Sequence, residues 1–445
     1  MRPLRVIQDS PARVLVVGFA AVIAVGTLLL MIPAATAPGR RTDFLTALFT
    51  ATSATCVTGL VVVDTATHWS WLGHVIIACL IQVGGLGIMT MSTFFALLIG
   101  KRITLRERLV MQEALGRFTA AGIVRLVRLV LLTTALCEGL GTLLLFSQLV
   151  GRYPAPRALA LAAFHSISAF NNAGFDLFSV SLQPFVDDAG VVLVVAALII
   201  LGGLGFVVLA DLWGIRRGHW RPTLHTFLVL RVTALLILFG TLFILVLEWN
   251  NPLTLGPLSL KGKILAALFQ AVTPRTAGFS VVPVGGLTVP TLLLTIIFMF
   301  VGASPGGTGG GAKTTTVASL VLAVWATVRG YPEITVHERR LPWDVVQRAL
   351  AITFISLALV MAVSMALSLT EGGEYLPLLF EATSAFGTVG LSTGVTPDLS
   401  VPGRLLIILT MFAGRVGPLT LAIALAKRAR PLPPLHYLEE KVAVG

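Results

Sequence analysis

The sequence predicts an all-α integral membrane protein in which four tandem units surround one pore, with eight transmembrane spans. Three observations carry this reading. The 445 residues are 56% hydrophobic and only 12% charged, with a mean hydropathy of +0.93, which lies outside the soluble globular range. Apolar runs long enough to cross a bilayer recur from end to end. Four short segments also end in nearly the same way: Ala54-Thr55-Cys56-Val57-Thr58-Gly59-Leu60, Ala169-Phe170-Asn171-Asn172-Ala173-Gly174-Phe175, Thr273-Pro274-Arg275-Thr276-Ala277-Gly278-Phe279 and Ala385-Phe386-Gly387-Thr388-Val389-Gly390-Leu391. Their glycines lie 115, 104 and 112 residues apart, so the repeat extends over the whole chain.

The apolar runs fall at about 14–32, 72–99, 124–150, 186–213, 223–247, 288–301 continuing after a break to 328, 343–369 and 402–427. The first is read as a retained span rather than a leader: Pro33-Ala34-Ala35-Thr36-Ala37 has small residues, but another membrane segment follows closely. Between paired runs lies a short segment, too short to span lipid as a helix. In unit one it covers Asp43 to Ala54, with Phe44, Leu45, Leu48 and Phe49 at helical spacing and Asp43 suited to the positive helix end. The counterparts are 158–170, 261–273 and 375–386. Ser53, Ser168 and Ser384 stand at equivalent distances before their loop glycines, as do Phe49, Phe164 and Phe380. Unit three departs from both, with Val272 and Leu268 at those places and Phe269 one residue later.

A second glycine feature begins 24 to 28 residues after each loop glycine: Gly84-Gly85-Leu86-Gly87, Gly202-Gly203-Leu204-Gly205, Gly306-Gly307-Thr308-Gly309-Gly310-Gly311 and Gly414-Arg415-Val416-Gly417. Close helix packing and bending are both open readings in units one and two. In unit three, Gly302 to Thr316, with Pro305 inside it, must break a helix.

The formal charge of +12 does not point to nucleic acid, because of where it sits. Arg2, Arg5 and Arg13, Lys101 to Arg128, Arg216 to Arg221, Arg329 to Arg348 and Lys427 to Lys441 all fall on one side of an eight-span chain. The positive-inside rule makes that side cytoplasmic, with both termini. The opposite loops hold Asp43, Asp64, Asp176, Asp187, Asp188, Glu371, Glu374 and Asp398, read either as a cation-concentrating vestibule or as solvated loop charge. Cys56, Cys79 and Cys137 have no metal-ligand or disulfide spacing, and no hydrolytic constellation is present. Gly311-Ala312-Lys313-Thr314 lacks the adjacent Gly-Lys of a nucleotide-binding P-loop. The chain is not read as an enzyme.

A dehydrated cation needs fixed oxygens, and backbone carbonyls supply them without anionic side chains. Gly59, Gly174, Gly278 and Gly390 allow the required backbone, while Val57, Thr58, Asn172, Ala173, Thr276, Ala277, Thr388 and Val389 supply carbonyls around them. The small, hydroxyl-rich break of Gly302, Ala303, Ser304, Gly306, Gly307, Thr308, Gly309, Gly310 and Gly311 is the candidate gate. Lys313 is read either as repelling cations or pairing with a carboxylate, or as snorkelling to the cytoplasmic surface. Arg415, isolated in an apolar run, is expected to face the bundle interior, with Glu138 a second interior charge.

At these loops the chain resembles the KtrB/TrkH/HKT superfamily of cation-translocating proteins, and its KtrB-type branch in particular. The resemblance implies four M1-P-M2 units, here 1–112, 113–218, 219–334 and 335–445, around one pore in the plasma membrane. It implies a homodimer and a separate cytosolic ring of nucleotide-binding regulatory domains, with the nucleotide on that partner rather than on this chain. It casts the unit-three break as an intramembrane gating loop and Arg415 as the arginine below the filter. Glycine in all four loops favours K+ as the transported ion, with Na+ left as a second permeant or stimulating ion. A sodium- or proton-coupled secondary transporter is the alternative reading.

Overall fold

The structure, a computed structural model, describes residues 11–87, 123–215, 222–418 and 420. Among these residues the only sheet is a two-stranded antiparallel hairpin, β1 (Thr335–Val336) with β2 (Arg339–Arg340). Everything else regular is helical, and one order recurs four times: a long helix, a short helix, a loop and a second apolar helix. The first set is α1 (Pro11–Leu30), α2 (Phe44–Cys56) and α3 (Trp71–Leu86). The second is α4 (Ile123–Leu149), α5 (Ala155–Phe170) and α6 (Ala189–Leu204) with α7 (Phe206–Ile215). The third is α8 (Leu224–Glu248), α9 (Leu260–Val272) and α10 (Val289–Val301) with α11 (Thr314–Val328). The fourth is α12 (Trp343–Glu371), α13 (Tyr375–Gly387) and α14 (Val401–Val416).

Arg13–Leu30, Val127–Leu149, Leu224–Glu248 and Trp343–Glu371 are long and apolar enough to cross a membrane, and the bent pair Ala189–Leu204 with Phe206–Gly214 makes a fifth if taken as one span. Their outer faces leave Leu136, Leu143, Phe239, Val246, Phe354 and Leu369 exposed, which suits lipid and not water. The short helices are different. Thr50 to Cys56 of α2 and Thr383 to Gly387 of α13 are buried, so the short helices end inside the protein. Asp43 starts α2 by accepting from the Leu45 and Thr46 amides, and Ser259 starts α9 by accepting from Gly262 N–H. Both satisfy otherwise unpaired helix-start donors. In sequence terms α5 begins at Ala155, three residues before the expected start at 158, with Pro156 in its first turn.

Each short helix packs on the long helix before it and on the second helix of the preceding set: α3 on α5, α6 on α9, α10 on α13, and α14 back on α2. That last contact joins the end of the chain to its beginning and closes the bundle into a circle.

The apolar runs at 72–99, 186–213 and 402–427 each contain a helix end. α3, α6, α10 and α14 all stop at a glycine with positive φ: Gly87 (81°), Gly205 (94°), Gly302 (61°) and Gly417 (93°). α6 and α7 meet at 92°. A left-handed residue cannot continue a right-handed helix, and glycine takes that conformation without steric cost. The packing and bending readings are both correct, for different glycines. Gly84, Gly202 and Gly414 lie against the carbonyls of Thr55, Phe170 and Phe386, where any Cβ would collide. Arg2 and Arg5, most of the Lys101–Arg128 stretch, Arg216 to Arg221 and Lys427 to Lys441 lie outside the described residues.

Gly202→Val and Gly87→Ala therefore separate the two roles. The first forces a side chain into the Phe170 carbonyl and is expected to remove about 3 kcal/mol or more of stability, or all folded protein. Among the described residues the second meets only backbone strain, roughly 1–2 kcal/mol. Thermal unfolding of the detergent-solubilised proteins reads the difference.

Candidate functional site

The four glycine loops converge on one ring. A Cβ placed on Gly59 would strike the Ala173 carbonyl and lie 3.0 Å from Gly174 Cα. One on Gly174 would lie 2.8 Å from both Ala277 O and Gly278 Cα, and one on Gly278 would lie 2.6 Å from Val389 O and 3.3 Å from Gly390 Cα. One on Gly390 would strike the Thr58 carbonyl and lie 3.0 Å from Gly59 Cα. The circuit 59–174–278–390–59 closes, and each step brings a glycine against the carbonyl that precedes the next glycine.

The loop backbones share a conformation as well as a position. Two residues before each glycine the chain is again left-handed: Val57 (φ 58°), Asn172 (58°), Thr276 (74°) and Thr388 (50°). Non-glycine residues adopt such φ values rarely, and four repeats at one loop position mark a built feature. These residues are fully buried, as are Thr58, Ala173, Ala277 and Val389. Side chains bond across the loops too. The Asn172 amide, oriented so that its nitrogen donates to Ile199 O and Ala169 O, accepts from the Thr276 hydroxyl at 3.3 Å.

Hydroxyls on the short helices hold the loops. Ser53 Oγ accepts from Gly59 N–H at 3.0 Å and Ser384 Oγ from Gly390 N–H at 3.1 Å. Ser168 Oγ donates to Phe175 O at 2.8 Å. In unit three the same task falls to Thr273, whose Oγ1 donates to Phe279 O at 2.5 Å. Its anomaly thus has a simple cause: the aromatic and the hydroxyl keep their mutual spacing of four (Phe269 to Thr273), while the loop beyond is one residue shorter. Ala277 N–H reaches back four residues to Thr273 O, whereas Thr58, Ala173 and Val389 reach back five, to Ser53, Ser168 and Ser384.

The glycine-rich break lies beneath this ring. Gly309 abuts the Thr276 hydroxyl, and Gly310 N–H donates to Thr388 Oγ1 at 3.0 Å. Gly311 lies against Gly387, and Gly302 doubles back on the Ala312 and Gly310 carbonyls. The other end is tied to unit two: Ser304 N–H donates to Gly203 O, Thr308 N–H to Gly202 O, and Gly306 O accepts from Phe206 N–H. Gly307 N–H closes a turn on Ser304 O, and Ala303 O accepts from Thr314 N–H. Thr308 Oγ1 donates to Phe170 O at 3.3 Å.

Arg415 faces the interior as expected, and its partners are carbonyls. The guanidinium donates to Thr308 O and Gly84 O, with Gly85 O at 3.5 Å. It thereby bridges the unit-three break to the end of α3. Neither expected role describes the bonds of Lys313: its ammonium folds back on its own loop, donating to Gly309 O at 2.6 Å and to Gly310 O at 3.4 Å. Glu138 does not meet Arg415. It accepts from Asn171 Nδ2 at 2.8 Å, and the same nitrogen lies 3.0 Å from Gln82 Oε1. Sequence reading missed this Gln82–Asn171–Glu138 cluster; the signal was a lone polar residue in an apolar run of unit one (Gln82) and another in unit two (Glu138), with Asn171 at the start of the second loop.

The outer carboxylates are largely structural. Asp64 accepts from Ala66 N–H, Thr67 and Ser179, Asp188 pairs with Arg152 at 2.8 Å, Asp187 accepts from Ser259, and Glu371 from Ser400. Among the described residues no cluster of His, Cys, Asp or Glu could hold a metal ion.

A sequence profile of the family TrkH, described as a cation transport protein, matches residues 10–431. The chain belongs to the TrkH cation transport family. It is 42% identical to Ktr system potassium uptake protein B of Bacillus subtilis, covering 95% of this chain and 94% of that one. It is 40% identical to the protein of the same description in Vibrio alginolyticus (98% and 96% covered) and 37% identical to potassium/sodium uptake protein NtpJ of Enterococcus hirae (98% and 97%). The crystal structure of the potassium transporter TrkH from Vibrio parahaemolyticus shares the fold, with a TM-score of 0.74 at 20% identity, covering 94% of this chain and 85% of that one. As a TrkH-family member the chain is an all-α multi-pass membrane transporter, not an enzyme.

Asp176, just beyond the second loop, gives a pH test. Burial, aided by the Asp64 carboxylate, lifts its carboxyl to about 6. The folded state therefore holds a proton that the unfolded chain releases near the ordinary aspartate value of 3.8, so stability falls as pH rises between those values. Unfolding of the purified protein is expected to become easier from pH 4 to 6, with a shallower slope in Asp176→Asn.

Proposed function

We propose that this chain conducts potassium passively across the plasma membrane, in a channel-like manner, through the ring at Gly59, Gly174, Gly278 and Gly390. The observation that carries the reading is the closure of that ring, with the carbonyls of Thr58, Ala173, Ala277 and Val389 at its four junctions. Fixed carbonyl oxygens can replace the hydration shell of a potassium ion. The relatives named for potassium uptake support the choice of ion, and one named for potassium and sodium keeps sodium as a second ion to measure.

The break from Gly302 to Lys313 acts as the gate in this reading, because it sits against Thr276 and Thr388 at the inner end of the ring. Arg415 latches it by holding Thr308 O. Eight spans in four M1-P-M2 units, bounded near 112, 218 and 334, give both termini to the cytoplasm. Two chains pair, each with its own pore, and a separate cytosolic nucleotide-binding ring acts on the gate.

Purified protein in liposomes tests the proposal. Potassium flux is expected without a counter-ion, exceeding sodium flux, whereas obligatory stoichiometric coupling to sodium or protons would place the protein among secondary transporters. Gly59→Ser and Gly174→Ser are each expected to lower potassium flux or the potassium-to-sodium ratio at least about tenfold. Unchanged discrimination in both variants would remove these loops from the conduction path. Arg415→Ala is expected to raise basal flux several-fold by releasing Thr308.

A further inference from the structure

The residue after the buried phenylalanine of each short helix is polar in all four units: Phe49-Thr50, Phe164-His165, Phe269-Gln270 and Phe380-Glu381. All four polar side chains are at most 2% exposed, on the helices that carry the glycine loops. Burying a polar group there is costly without a bonding partner. Two of the four, His165 and Glu381 through its Oε1, have a partner on the segment leaving the ring. Leu177 N–H donates to His165 Nε2 at 3.2 Å, and the Thr396 hydroxyl donates to Glu381 Oε1. Thr50 Oγ1 and both amide atoms of Gln270 have no hydrogen-bond partner among the described residues.

The geometry sets the state of His165. A backbone N–H can only donate, so Nε2 carries no proton; the Leu161 carbonyl can only accept, so Nδ1, 2.7 Å away, carries it. The ring is neutral, one tautomer, and stacked on Phe178 with centroids 4.2 Å apart. One turn further along α5, Ser168 bonds Phe175 O. The same helix thus grips the chain on both sides of Asp176. In unit four, Ser392 Oγ lies 3.0 Å from Thr396 Oγ1; the one Thr396 proton goes to Glu381, so Ser392 donates to Thr396 and Glu381 holds the outgoing segment through a small hydroxyl relay. Units two and four are opposite each other in the ring.

We propose that His165 and Glu381 are positioning residues that brace two opposite quarters of the ring from behind and so set its discrimination between potassium and sodium. The inference rests on the ring being the conduction path. Neither side chain touches the ion. Each limits how far its loop can relax, and a ring that relaxes around a smaller ion loses its preference for the larger one.

The test measures potassium and sodium uptake by the full-length protein in liposomes for the parent, His165→Leu, His165→Gln, Glu381→Leu and Glu381→Gln. Both leucine variants are expected to lower the potassium-to-sodium ratio about five- to tenfold, the size of effect of a lost buried bond. Glutamine, which restores a donor and an acceptor, should return the ratio to within about twofold of the parent. Leucine variants that fold and keep the parent ratio overturn the inference, as does a glutamine variant that falls as far as leucine. Thr50→Val and Gln270→Leu, which break no direct bond, serve as controls expected to keep the ratio. If neither leucine variant folds, hydrogen exchange in the parent decides for His165: a protected Leu177 amide supports the brace, and exchange as fast as in free loop overturns it. A parent without potassium-selective flux refutes the conduction path itself, a different outcome from a selective parent with indifferent variants.

Discussion

Four backbones meet where no side chain fits. At Gly59, Gly174, Gly278 and Gly390 the space beyond Cα is occupied by a neighbouring loop, so the convergence is possible only with glycine. Everything around the ring serves that approach. The short helices end inside the protein so that their last turns can present the loops, and hydroxyls of Ser53, Ser168, Thr273 and Ser384 fix where each loop leaves its helix. The second helices need their own glycines, Gly84, Gly202 and Gly414, to come close to the carbonyls at the ends of those short helices. Non-helical backbone at this depth survives in a bilayer because protein surrounds it on every side.

Much of this was legible in the chain. Glycines repeating at a near-constant interval, each after a short apolar stretch, gave the number of loops and the residue at which they meet. The interior placement of Arg415 followed from the cost of a charge in lipid. What the pattern could not give was the partner. Arg415 bonds to carbonyls of Thr308 and Gly84, and every residue carries a carbonyl, so no composition or spacing marks which ones are available. Lys313 fails for the same reason, since it bonds to its own loop. The register of unit three was obscured because comparison from the glycine backwards crosses the missing residue; comparison from Phe269 forwards does not.

The breaks in the second helices show a different limit. Hydropathy sees the runs at 186–213 and 402–427 as continuous because a single glycine hardly changes the mean. The backbone sees Gly205 and Gly417 as stops, since positive φ ends the hydrogen-bond ladder at once. Two glycines three residues apart then do unlike things, one admitting a neighbour and the other turning the chain, and only the surroundings tell them apart.

The shortened third loop has one last implication. Four identical subunits would impose every substitution on all quarters of a pore together, so that each change is felt fourfold. Here one polypeptide supplies four unlike quarters, and the one-residue deletion before Gly278 shows that a single quarter tolerates its own geometry while the circle still closes. Evolution can therefore adjust such a ring in quarter steps, changing one side while three hold.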